Sequence, residues 1–76
     1  MSIDGQGLNK TTALLIYGLM QFQMGEEDME MIVTFLEEDD QVLMIHYLAT
    51  HPDATQQDIL KETARLLKQR KRLDAQ

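Results

Sequence analysis

With 76 residues the chain is about half the size of a typical domain, so one compact unit is expected and separate catalytic and regulatory domains are excluded. It has no cysteine and two histidines, His46 and His51, which excludes a disulfide framework and leaves too few ligands for a closed zinc site. A formal net charge of −6 disfavours nucleic acid and anionic membrane surfaces as principal partners.

The charge is laid out in blocks. Eight of the thirteen acids fall between Glu26 and Asp40 with no base among them, and six of the seven bases fall between Lys61 and Arg72. Opposite blocks on so short a chain favour contact between the acidic middle (Glu37, Glu38, Asp39, Asp40) and the basic tail (Lys61, Arg65, Lys68, Arg70, Lys71, Arg72), within one copy or between two.

Residues 1–8 are polar, carry two glycines and have neither the basic flank nor the apolar run of a secretory signal. They are expected to form a mobile arm, and a cytoplasmic location is expected of the whole. From Asn9, a cap former, the pattern predicts a helix over 10–24, with Ala13, Ile16, Tyr17, Met20 and Met24 as its stripe. Leu14, Leu15, Leu19 and Phe22 widen that stripe until most of the girth is apolar. Gly25 is the expected stop.

Acids at 26–28 suit the positive end of a helix dipole, and Met29, Ile32, Val33 and Leu36 follow at amphipathic spacing. Continuing that stripe reaches Asp40, a poor core residue, so a break is expected at 37–40 with Asp39 or Asp40 capping a third helix over 41–49. One continuous helix over 26–49 is the alternative. Pro52 and Asp53 mark a turn. Thr55 with Asp58 then forms a variant capping box ahead of a fourth helix whose stripe is Ile59, Leu60, Thr63, Leu66, Leu67 and Leu73, while Lys61, Arg65, Lys68 and Arg72 share its outer face. Thr55 to Thr63 resembles the first helix of a helix-turn-helix. Where that motif would turn, near Ala64, the apolar period runs straight on to Leu67.

Catalytic and metal constellations are absent from the pattern. The acids at 37–40 lack the alternate spacing, glycine and closing glutamate of an EF-hand. No Glu-x-x-His pair precedes either histidine, and the one serine, Ser2, lies in the arm. His46 reads as a residue at a packed boundary, and His51 as a charge for the carboxyl end of the third helix. Neither an enzyme nor a bound cofactor is expected.

What remains points to binding. Four of the six methionines flank Gly25, and flexible thioethers suit an adaptable groove for a partner helix. Gly18, costly inside a helix, suggests close approach of another helix. The expected fold is all-α, a small bundle of three or four antiparallel helices over 9–73 with 74–76 frayed, the first helix central and the fourth packed across it. A homodimer is expected to complete the core through Leu15, Gly18, Leu19 and Phe22, with Met31 as a further interface residue. The expected function is a small protein-interaction or regulatory module, and the alternative is a nucleic-acid-binding regulator using the basic helix.

Overall fold

The structure is a computed structural model that describes residues 9–74, with side chains from 9 to 72. It is a small all-α bundle of α1 (Lys10–Gln21), α2 (Glu26–Phe35), α3 (Glu38–Thr50) and α4 (Gln56–Asp74), with no strand among the described residues. The 26–49 segment is therefore two helices. The expected arm 1–8 and the last two residues lie outside the described residues, as does the side chain of Leu73.

Asn9 stands in extended backbone, and its side chain accepts from the Thr12 amide at 2.8 Å, the capping role its chemistry predicts. The other end of α1 corrects the expectation. The helix stops at Gln21, and the residue in left-handed backbone is Gln23 (φ 60°), not Gly25. The Gln23 amide donates to the Met20 carbonyl at 2.9 Å and the Met24 amide to the Leu19 carbonyl at 3.3 Å, a Schellman closure. Its usual apolar complement is present, because Leu19 and Met24 are both buried in the core. Gly25 has an ordinary φ of −69° and serves as the N-cap of α2.

The break between α2 and α3 falls earlier than the acids suggest. Leu36 and Glu37 are extended and α3 starts at Glu38, so Asp39 and Asp40 sit inside its first turn, where carboxylates complement the dipole. Two carbonyls at the end of α2 find their partner on the next helix. Gln41 Nε2 donates to the Val33 carbonyl at 3.1 Å and to the Leu36 carbonyl at 3.0 Å, while Gln41 Oε1 accepts from Thr12 Oγ1 at 2.8 Å. One buried amide thereby ties three helices together, with its polar atoms partnered as burial requires.

Leu15, Leu19, Ile32, Met44, Ile59 and Leu66 form the fully buried centre. Burying each such side chain contributes about 1.5–3 kcal/mol. Helix α1 packs most closely on α3 and also on α2, whereas α4 packs on α3 rather than across α1 as expected. Gly18 permits the α1–α3 approach, since a Cβ there would lie 3.1 Å from Leu48 Cδ1. The close helix that this glycine announced belongs to the same chain.

The face that α1 buries also differs from the expected stripe. Leu15 and Leu19 point inward, and Ala13, Tyr17 and Met20 point to solvent. With hardly a polar side to oppose an apolar one, the periodicity of α1 does not choose a face, and packing against α2 and α3 does. Helix α4 follows its pattern closely. Thr55 Oγ1 accepts from the Asp58 amide at 3.1 Å and Asp58 Oδ2 from the Thr55 amide at 3.0 Å. Ile59, Thr63 and Leu66 are buried, Leu60 and Leu67 partly so, and the helix runs unbroken past Ala64. The buried Thr63 hydroxyl donates to the Ile59 carbonyl at 2.9 Å.

Candidate functional site

The residues expected at a dimer seam separate into two groups. Leu15 and Leu19 are 0% exposed within a single copy, so they offer no surface to a second one. Gly18 and Phe22 are half-buried against the chain's own core. Met31 is 38% exposed on α2. The exposed apolar row of α1 is instead Leu14, Tyr17 and Met20, at 59%, 64% and 57% exposure. Phe35, Val42 and Leu43 are similarly exposed elsewhere.

Between α1 and α2 lies an open groove of about 820 Å³. Ile16, Met20, Met24, Met29 and Val33 make its apolar lining, and Glu26, Glu27 and Glu30 make its acidic side. Three of the four methionines around the turn line it, and Met31 does not. The Schellman closure at Gln23 and the extended Gly25 set the two helices side by side, so α1 supplies Ile16 and Met20 and α2 supplies Met29 and Val33. Met20 belongs both to the groove and to the exposed row of α1. None of Glu26, Glu27 and Glu30 makes an ion pair among the described residues, and no lysine or arginine occurs between Lys10 and Lys61.

The two charge blocks meet at one point, within the chain. Arg70 Nε lies 3.3 Å from Asp40 Oδ2 and Arg70 Nη1 lies 3.8 Å from Glu37 Oε1. Asp40, expected outside the core, is only 6% exposed, and Arg70 compensates for burying its carboxylate. Glu38 accepts from Thr11 Oγ1 at 3.2 Å, and Asp39 is exposed. Arg65 is engaged along its own helix by Glu62, at 3.0 and 2.6 Å, which raises its already high pKa. Lys61, Lys68, Lys71 and Arg72 are exposed and make no ion pair among the described residues.

His46 is exposed, which corrects its expected place at a packed boundary, since at that turn α3 buries Met44 and Leu48. His51 is the C-cap residue of α3. Its Nδ1 lies 3.0 Å from the Tyr47 carbonyl oxygen, and its ring stacks on Tyr47 with centroids 4.2 Å apart. The Asp58 carboxyl is held below the usual carboxylate range, chiefly by the hydrogen bond from the Thr55 amide and further by the Thr55 hydroxyl. Among the described residues no three His, Asp or Glu side chains group as metal ligands, and no helix is long and apolar enough to cross a membrane.

Local patterns signal the methionines and the contact between the two charge blocks, but not the acidic rim, the burial of Asp40 at that contact or the role of Gln41. The empty span between Lys10 and Lys61, which leaves the rim glutamates without a nearby base, is the one signal that could have marked the rim. No protein-family model matches the chain, and no curated protein or solved structure shows significant similarity to it.

Proposed function

We propose that the protein is a small non-enzymatic interaction module, acting in the cytoplasm as a homodimer whose seam is the outer row of α1. The observation that carries this reading is the surplus of apolar surface. The chain fills its own core with Leu15, Leu19 and their neighbours, yet Leu14, Tyr17 and Met20 stay more than half exposed on one helix face. Exposed apolar surface in a continuous row marks interaction sites more often than scattered single residues do. Lys10 is the only charged residue of α1, so an isologous α1–α1 seam brings almost no like charges together.

Light scattering tests the seam. The expected mass is twice that of the chain, and a variant with Leu14→Glu and Tyr17→Glu is expected to return it to one chain with helicity retained. A wild-type chain that stays monomeric at high micromolar concentration removes the homodimer.

The second reading, a nucleic-acid-binding regulator, is favoured by one observation: Lys61, Lys68 and Arg72 share an exposed face of α4. Arg70, turned toward Asp40, subtracts from that face, and the net charge of −6 opposes it. Specific DNA readers reach about 10⁻⁸ M or tighter at physiological salt. Selective duplex binding in that range, lost when Lys61, Lys68, Lys71 and Arg72 are neutralised, would replace the interaction-module reading with this one.

A further inference from the structure

We infer that the α1–α2 groove is the docking site for a basic amphipathic helix of a partner protein. This rests on the interaction-module reading and goes beyond it by fixing the chemistry of the occupant. Methionine side chains supply a floor that adapts to different apolar shapes, as in other promiscuous helix-binding surfaces. A helical occupant suits the groove better than an extended one. The groove is walled by helices whose backbone groups are bonded internally, so it offers no strand edge for an extended peptide to pair with. A helix brings its own backbone bonds and needs only an apolar row at i, i+3, i+4 and i+7.

The charge of the occupant follows from the rim. Glu26, Glu27 and Glu30 stand along the groove without an ion pair among the described residues. Lysines or arginines flanking an apolar row would meet them, and carboxylates would be repelled.

Two occupants close at hand are excluded, one by the rim and one by the core. A second copy pairing groove to groove would set three glutamates against three, so self-association belongs to the uncharged row of α1 instead. The chain's own basic helix has the right sign, but its apolar face, Ile59, Thr63 and Leu66, is already buried in the core.

The test uses the full chain and three synthetic peptides: a helix-forming peptide with a leucine row and flanking lysines, the same peptide with glutamates for lysines, and a scrambled lysine peptide of equal charge. Titration calorimetry is paired with NMR of the methionine methyl groups. The first peptide is expected to bind, to shift the methyl signals of Met24 and Met29, which line the groove away from the α1 seam, but not that of Met31, and to weaken as salt rises. The other two are expected not to bind. A variant with Glu26→Lys, Glu27→Lys and Glu30→Lys is expected to lose about tenfold or more in affinity for the lysine peptide and to gain binding of the glutamate peptide.

Equal binding of the lysine peptide by wild type and variant overturns the inference, as does binding that leaves the groove methionines unshifted. The variant with Leu14→Glu and Tyr17→Glu keeps the groove residues, so it is expected to bind the peptide as a monomer. Its mass reports on the homodimer and its peptide affinity on the groove, which keeps failure of one distinct from failure of the other.

Discussion

Helix α1 turns Leu14, Tyr17 and Met20 to solvent, whereas α4 turns Lys61, Lys68 and Arg72 to it, although each buries an aliphatic row on its other side. The charged face of α4 is well solvated and fixes which side goes inward. The uncharged face of α1 does neither. Its orientation comes from tertiary neighbours, through the fit of Gly18 against Leu48 and the insertion of Leu15 and Leu19, and its outer surface is left available for contact. Where a helix lacks polar contrast, packing partners decide its core face, and the leftover apolar side becomes the place to look for function.

Adjacent residues on α1 give the sharpest way to break that comparison. Leu19→Ala is expected to cost about 2–5 kcal/mol, because it removes a fully buried side chain and leaves a cavity. Met20→Ala, one residue on, is expected to stay within about 0.5 kcal/mol at concentrations where the chain is monomeric. Urea unfolding followed by circular dichroism measures both, and equal costs would mean that inner and outer faces have been exchanged.

On α4 the corresponding pair is Arg70 and Lys68. Arg70→Met strands the Asp40 carboxylate in a buried position and is expected to cost about 1–3 kcal/mol, below the figure for a wholly buried pair because Arg70 is partly solvated. Lys68→Met is expected to fall within about 0.5 kcal/mol, since its side chain is solvated. The same unfolding experiment ranks the two, and an inert Arg70→Met would show that the ion pair does not support the fold.

The start of α4 gives a smaller effect with a pH signature. Thr55→Ala is expected to cost about 1 kcal/mol through loss of the cap. Because folding lowers the Asp58 pKa, its contribution is present above the ordinary carboxylate range and disappears as the pH falls through the depressed value. Melting temperatures recorded from neutral to strongly acidic pH should therefore converge for wild type and Asp58→Asn, with the wild type ahead only at the higher pH.

One further small change is expected to be a gain. Gln23→Gly relieves a non-glycine residue in left-handed backbone, and after the greater freedom of glycine in the unfolded chain is deducted it should stabilise by about 0.5–1 kcal/mol. An unchanged midpoint in urea would show that the Gln23 backbone is not strained.

Much of the fold could be read where polar and apolar residues alternate clearly. The stripe of α2, the caps at Asn9 and Thr55, and the unbroken run of α4 past Ala64 all follow from local chemistry. The turn at Gln23 did not, because glycine is the usual left-handed residue and the sequence offered Gly25 two positions later. Here two backbone bonds, with Leu19 and Met24 both buried in the core, hold a glutamine in its place. Burial of Asp40 was hidden for another reason, its compensating charge lying thirty residues away on α4. The groove was half visible: methionine clustering pointed to it, but only the turn geometry brings Met20 and Met29 to one side with the rim glutamates.

Gln41 carries an implication for how the bundle opens. Its side-chain amide holds the last carbonyls of α2 and the Thr12 hydroxyl of α1 at the same time, from a position in α3. Helix α2 therefore has no independent route to swing away, since detaching its carboxyl end strands a buried amide that also serves α1. Amide hydrogen exchange should find α1, α2 and α3 releasing their slowest protons together, as a single cooperative unit, with α2 no faster than its neighbours despite being the shortest helix. In Gln41→Leu that shared protection should split, with α2 exchanging first, and the wall of the groove would change from a fixed plate into a door.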